Sequence, residues 1–369
     1  MAVDDRPQQL AFIGSYGPPE EPGIHVAAID GMGEMELQGS VGAIRNPSFL
    51  RVHPNGRHVY AVSETGLAAD GVVGGVVGLR IERSEGVVDL TPVSRRSTLG
   101  DQPCHLSIDG TGCWLFATNY GSGDVVVFPI DDDGKLGECT TRVQHVGRGA
   151  DPGRQASPHP HSSVVSPDNA FLIVADLGTD QLVVYAWDNE GGALSKHSVH
   201  RSSPGSGPRT VVFHPAGRFL CAVNELTNTV TVFEWDADAA IMHEVQSIST
   251  LPVGVDVPNL AADLQFSPSG ESVYVSNRGH DSVMTFSFEP SRGLSTIGVR
   301  PSGGRWPRAM ALAPGGDELL VANERSNQVV PLPLLGRVVD DETQSRAVDV
   351  VSPSSVAFAG ARDRGLTTP

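Results

Sequence analysis

NPSFLRVHPNGRHVYAVSE, residues 46–64, decides the fold, because the chain repeats it. The pattern returns as QPCHLSIDGTGCWLFATNY (102–120), HPHSSVVSPDNAFLIVADL (159–177) and GPRTVVFHPAGRFLCAVNE (207–225). It returns again as LAADLQFSPSGESVYVSNR (260–278) and WPRAMALAPGGDELLVANE (306–324). Each copy is an alternating apolar strand, a Pro/Gly/Asp/Asn turn and a second β-rich strand. Period-two alternation around such a turn is an antiparallel hairpin. The copies are about 46 to about 57 residues apart, close to the ~40–50 residues of a four-stranded propeller blade. The rest of each copy supplies two more strands. DVVVFPI, QLVVYAW and TVTVFEW follow the second, third and fourth hairpins, with outer strands expected near Leu136 and Leu194. No stretch carries helical periodicity over three turns.

The two ends hold a split seventh copy. SPSSVAF (352–358) reads as a first strand without a second, and LAFIGSY (10–16) as a second without a first. Paired, they close the ring and leave no open sheet edge. The expected architecture is all-β: a seven-bladed β-propeller of four-stranded antiparallel blades, closed by N- and C-terminal strands in one blade. It reads as one domain over residues 1–369, ordered over about residues 8–360, with flexible ends that include ARDRGLTTP (361–369).

Composition fits this fold. The chain has 42 Gly and 27 Pro, which so many tight turns require. A net charge of −17 argues against nucleic acid, whose phosphates need a basic face. The polar start MAVDDRPQQL has no basic segment followed by an apolar one, and no apolar run reaches the ~18–20 residues of a membrane span. Cys104, Cys113, Cys139 and Cys221 lack metal-type spacing and read as reduced thiols. Together these features lead to the expectation of a cytoplasmic protein without membrane or nucleic-acid partners.

Aligning the copies on their turns exposes two positions with unusual chemistry. At the start of strand one stand Ser48, Cys104, His161, Arg209, Ala262, Arg308 and Ser354. At the end of strand two stand Glu64, Tyr120, Leu177, Glu225, Arg278, Glu324 and Tyr16. Antiparallel pairing gathers both sets at one end of the blades, around the mouth of the central channel if strand one is innermost. Such a ring of Arg, His and Glu suits a small anionic ligand. One residue before the second set, Ser63, Asn119, Asp176, Asn224, Asn277 and Asn323 read as strand-end caps. His53 and His214 read as structural turn residues.

The third copy stands apart, with RQASPHPHSS (154–163) leading into its first strand. His159 and His161, two residues apart, share a face of an extended chain. They could be half a metal site, packing histidines, or a catalytic or anion-binding pair. No third ligand stands at a supporting spacing, and arginines are close by, so neither metal nor cofactor is expected. Arg209 and Glu225 of the fourth copy read either as a structural ion pair or as an anion clamp beside a base. Arg278 has no acidic neighbour in its own copy and reads as a free anion clamp.

On these residues the chain resembles the seven-bladed propeller lactonase family, which includes bacterial 6-phosphogluconolactonase and fungal carboxy-cis,cis-muconate cyclase. The carrying motifs are IGSYG (13–17) with GIHV (23–26), NYGSGDVVVFPI (119–130), RQASPHPHSS and ADLGTDQLVVY (175–185). They continue through GSGPRTVVFHPAGRF (205–219) with VNEL (223–226) and VSNRGHDSV (275–283), so nearly the whole chain is covered. Ser63 in place of an Asn, and the Gly/Ala/Val-rich stretch 65–77, depart from the pattern. The resemblance implies a catalytic set of His161, Arg209, Glu225 and Arg278. It also implies hydrolysis of a sugar lactone, with 6-phospho-D-glucono-1,5-lactone the expected substrate. The alternatives are a muconate-type lactonizing cycloisomerase and a non-catalytic binding propeller. Alanine at any of the four is expected to cut turnover and leave folding largely intact.

Overall fold

Seven antiparallel sheets form around one axis in a computed structural model that describes residues 9–18, 20–30, 34–67, 71–84, 87–339 and 347–359. Numbered along the chain, blades 1 to 6 each begin with one of the six quoted hairpins. Blade 7 joins the innermost strand Pro353–Phe358 to Gln9–Ser15, Ile24–Ile29 and Met35–Val41. Ala11 faces Phe358 and Gly14 faces Ser355, so the terminal strands pair as the split copy requires. In blade 4 the order from the axis outward is Pro208–Phe213, Phe219–Asn224, Thr229–Asp236 and Ile241–Ser249.

The outer strand of blade 2 begins later than its sequence suggests. Leu136 makes an isolated bridge to Ile130, and the strand proper is Thr141–Gln144. In blade 3 the outer strand runs Ala193–Arg201, where it is expected. A 3-10 turn, Glu324–Ser326, follows the second strand of blade 6. No described helix is long and apolar enough to cross a membrane. The predicted flexibility of 361–369 falls outside the described residues.

The core lies between blades rather than within one. Cys221, Val223, Val230 and Val232 of blade 4 pack on Ala261, Leu264, Val273 and Met284 of blade 5. Small β-branched side chains dominate because each sheet buries both faces, and branched residues suit that surface. The turn histidines serve the same joints. His53 donates from Nε2 to the Gly112 carbonyl of the next blade at 2.8 Å. His214 packs edge-on against Phe266 of the next blade.

The presumed caps are interior polar anchors. Asn119, Asn277 and Asn323 are fully buried and donate to the carbonyls of Thr98, Thr250 and Ser302. Asp176 accepts from the amides of His159, Gly178 and Thr179. Asn224 instead donates to the hydroxyls of Thr229 and Thr231, both 2.9 Å away.

Candidate functional site at the channel mouth

A β-bulge sits at the start of the innermost strand in most blades, and the residue it ejects is the one with unusual chemistry. Pro103 pairs with Asn119 and His105 with Thr118, which leaves Cys104 unpaired. The same slip leaves out His161, Arg209, Arg308 and Ser354. A bulge re-aims a side chain without ending the sheet. The end of strand two is fixed just as regularly. The amides of Tyr120, Leu177, Glu225, Glu324 and Tyr16 donate to the carbonyls of Gln102, His159, Gly207, Trp306 and Ser352. Both positions therefore share one end of the propeller. They surround a cavity of about 290 Å³ lined by all seven innermost strands.

Blade 5 breaks the rule, and the break adds a carboxylate. There the irregularity spans two residues, between Ala261 and Leu264. It brings Asp263 into the cavity wall, where it accepts from the amides of Leu264 and Met310. Burial pushes its carboxyl up. The signal for Asp263 in the sequence is an Asp inside the otherwise apolar strand LAADLQF.

His161, Arg209, Glu225 and Arg278 come together on the side of blades 3 to 5. Arg278 donates from Nη2 to Glu225 Oε2 at 2.6 Å, and Arg209 Nε lies 3.1 Å from the same oxygen. The Arg209 Nε–H is not aimed at that oxygen and makes no hydrogen bond. Sequence reasoning missed a third guanidinium, Arg154, which donates to Glu225 Oε1 at 2.5 Å. It stands in the quoted RQASPHPHSS, but the loop that folds it back is not visible in a strand alignment. Arg278 is thus not the free clamp expected. Its partner comes from the neighbouring blade, which a comparison within one copy cannot show.

The four residues occupy two depths. His161 and Arg209 line the cavity, whereas Glu225 and Arg278 stand behind them. Glu225 is 2% exposed, Arg278 4% and Arg209 6%. Burial alone would raise the Glu225 carboxyl, but Arg278, Arg209, His161 and Arg154 outweigh it and hold it well below the usual range. Burial lowers Arg278 to about 10 and also lowers Arg209, against the pull of Glu225. Both stay cationic at neutral pH. Burial, with Arg209 beside it, holds the half-buried His161 imidazole well below its ordinary pKa, and so neutral. Its ring is edge-on to Tyr120 at 5.7 Å, and its nitrogens make no hydrogen bond to the described residues. His159 stacks on Tyr120 at 4.4 Å and bonds the Tyr120 carbonyl through Nδ1.

Burial also revises the expectation that alanine at these positions spares the fold. For the half-buried His161 the expectation is unchanged. For Glu225 burial argues the other way, since its loss would leave three guanidiniums from two blades and a loop facing one another without their anion. Removing one partner of a buried pair typically costs ~3–5 kcal/mol.

A second group, not anticipated as a unit, stands on the side of blades 6, 7 and 1. Tyr16 Oη donates to Glu64 Oε2 at 2.9 Å, and Ser48 donates to the same oxygen. Arg308 Nη2 donates to Tyr16 Oη at 2.6 Å, and its Nη1 is 3.4 Å from Glu324 Oε2. Burial pushes the Glu64 carboxyl up, and Arg308 opposes it.

The comparisons with known proteins agree with this architecture. A family model described as "Lactonase, 7-bladed beta-propeller" matches residues 10–358. A 6-phosphogluconolactonase of Bacillus subtilis is 30% identical over 326 residues, 87% of this chain and 90% of that protein. One of Formosa agariphila is 32% identical over 329 residues, 86% of this chain and 90% of that protein. Among solved structures, a periplasmic gluconolactonase of Pseudomonas aeruginosa superposes with a TM-score of 0.88 at 31% identity, covering 96% of this chain and 99% of its own. The chain belongs to the seven-bladed β-propeller lactonase family.

Proposed function

We propose that this protein hydrolyses a sugar δ-lactone at the channel mouth, with 6-phospho-D-glucono-1,5-lactone as substrate and 6-phosphogluconate as product. The observation that carries the reading is the pairing of a neutral His161 with an unspent edge of Arg209. Arg209 Nη1 is committed to the Ala262 carbonyl and the Thr210 hydroxyl. Its Nη2 makes no hydrogen bond to the described residues and is not buried.

The chemistry follows from what each group has left to offer. Water attacks the lactone carbonyl carbon while His161 takes its proton, as a neutral imidazole can. The carbonyl oxygen becomes an oxyanion facing the free edge of Arg209, a fixed cation in a partly dry site. The carbon–ring-oxygen bond then breaks, and the imidazolium returns its proton to the departing ring oxygen. One water is consumed and one hydroxy acid is formed.

Glu225 is a poor base, because both its oxygens are occupied by guanidinium donors, whereas the ring nitrogens of His161 are free to take a proton. It acts as a positioning residue that holds Arg209 and Arg278 in place. Arg154, whose side chain is 37% exposed, is the cation left at the outer edge for the phosphate.

The test is an assay with freshly made 6-phosphogluconolactone and with glucono-1,5-lactone, each corrected for spontaneous hydrolysis. A rate on both equal to the uncatalysed one removes the reading. Arg154→Ala is expected to raise KM for the phosphorylated lactone several-fold more than for the unphosphorylated one. Equal effects on the two would take the phosphate away from Arg154.

A further inference from the structure

We infer that the side of the mouth opposite His161 and Arg209 is a polyol-recognition subsite, in which Glu64, set by Tyr16, Ser48 and Arg308, accepts hydrogen bonds from the ring hydroxyls of the lactone. The inference rests on the lactonase reading above and adds what selects the substrate.

Position comes first. Tyr16, Ser48, Glu64 and Arg308 all line the cavity that His161 and Arg209 line. They come from blades 7, 1 and 6, across the ring from blades 3 to 5. A six-membered lactone with its carbonyl at Arg209 therefore turns its far carbons toward Glu64.

Hydrogen-bonding capacity comes next. Both protein donors, Tyr16 Oη and Ser48 Oγ, converge on one Glu64 oxygen, Oε2. Oε1 accepts no hydrogen bond from the described residues and is not buried. A carboxylate with one oxygen pinned and the other open is an oriented acceptor, and sugar hydroxyls are donors that fit it. The pinning also sets its angle. Arg308 fixes the Tyr16 hydroxyl at 2.6 Å and lies over the Tyr16 ring at 5.1 Å, so the network is braced from a third blade.

Charge gives the third argument. The group on blades 3 to 5 joins three arginines to one glutamate, a formal +2. The group on blades 6 and 1 joins one arginine to two glutamates, a formal −1. With the Asp263 carboxylate of the cavity wall on blade 5 also counted, the first side is still a formal +1, so the mouth is polarised across its width. Anionic parts of a ligand, an oxyanion or a phosphate, are drawn to one side. Neutral donors are drawn to the other, where a second carboxylate or phosphate would be repelled. A polyhydroxylated lactone with a single anionic end matches this division, and a dicarboxylate does not.

The experiment compares glucono-1,5-lactone with δ-valerolactone, the same ring without hydroxyls. The enzyme should prefer gluconolactone in kcat/KM. Glu64→Gln should lower that preference ~10–100-fold, mainly through KM, the range for losing hydrogen bonds to a charged group. Ser48→Ala, which spares the carboxylate, should shift the preference in the same direction by less, and it serves if the Gln variant does not fold.

An equal fall on both lactones, or no change in the ratio, would overturn the subsite. So would a native preference for valerolactone. If the wild-type protein hydrolyses neither lactone, the lactonase reading fails separately. Calorimetric titration with gluconate and with 5-hydroxyvalerate then tests the subsite alone. Tighter binding of gluconate that Glu64→Gln abolishes supports it, and equal binding by the unaltered protein refutes it.

Discussion

The roles proposed for His161 and Glu225 differ because their neighbours differ, and two substitutions separate them. His161→Ala should cut kcat by ~10²–10³, the usual weight of one acid–base group, with little change in melting temperature. Glu225→Gln should lower stability by ~3–5 kcal/mol, measured by denaturant unfolding, because the arginines behind the cavity lose their counter-ion. If the His variant unfolds and the Glu variant does not, the division between half-buried base and buried brace is wrong. The pH behaviour has a defined sign. Glu225 titrates lower in the folded state than unfolded. Its stabilisation is therefore present above ~4.3 and is lost as pH falls toward the depressed folded value. His161 is also depressed on folding. The unfolded chain then takes up protons below ~6.5 that the folded chain refuses, so stability declines from that pH downward. Turnover should be flat from pH 6.5 to 8, and a sharp rise across that window would mean that another group supplies the base. All four residues carried forward from the sequence meet at one cluster, because register alone decides which side chains share an end. What register could not give is depth and cross-blade pairing. Arg278 looked free because its anion belongs to the next blade, and Arg154 was hidden because its loop lies outside the repeat.

The β-bulge is the element that turns a repeated hairpin into a site. Six hairpins and a split seventh were legible because alternation, turn residues and spacing all point to the same unit. The bulges were not, since a one-residue slip leaves no compositional mark. They explain why the first position of strand one bears Arg and His where a paired strand would bear Val. The segment that carries His159 and leads into the strand of His161 depends on a close backbone approach at Gly178. A Cβ there would run into the Ser157 carbonyl and lie 2.7 Å from the His159 amide. Gly178→Ala should therefore push the 157–161 segment away from the channel. The expected result is at least a tenfold loss in kcat/KM with a folded circular-dichroism spectrum. Unchanged turnover would show that the segment re-seats without moving His161. Gly56, which no atom within 4 Å crowds but whose φ is +66°, is the control, and its alanine variant should cost stability only.

The whole molecule is held by a closure that only two short strands provide. Pro353–Phe358 is the innermost strand of blade 7, and the chain reaches it only after building the other six blades. Its residues also pack against blade 6, where Ala311, Ala313 and Leu320 share a core cluster with Phe358. A chain ending before Val351 would lose the strand that Gln9–Ser15 pairs with on its inner side, exposing an edge rich in unpaired amides and carbonyls. It would also open the channel wall at Ser354, whose hydroxyl donates to the Ser48 carbonyl at 2.9 Å and so ties blade 7 to blade 1. Seven blades that each lean on two neighbours have no independent unit to fall back on, so the damage should spread round the ring. The truncated chain is expected to be insoluble or to elute as aggregate in size-exclusion chromatography. A soluble monomer with one cooperative unfolding transition would show that six and a half blades suffice. In that case the terminal strand would be serving the channel mouth rather than the fold. The lactone assay distinguishes these, because loss of the strand removes Ser354 and the backbone beside Ser48 while leaving His161, Arg209 and Glu225 on blades 3 and 4.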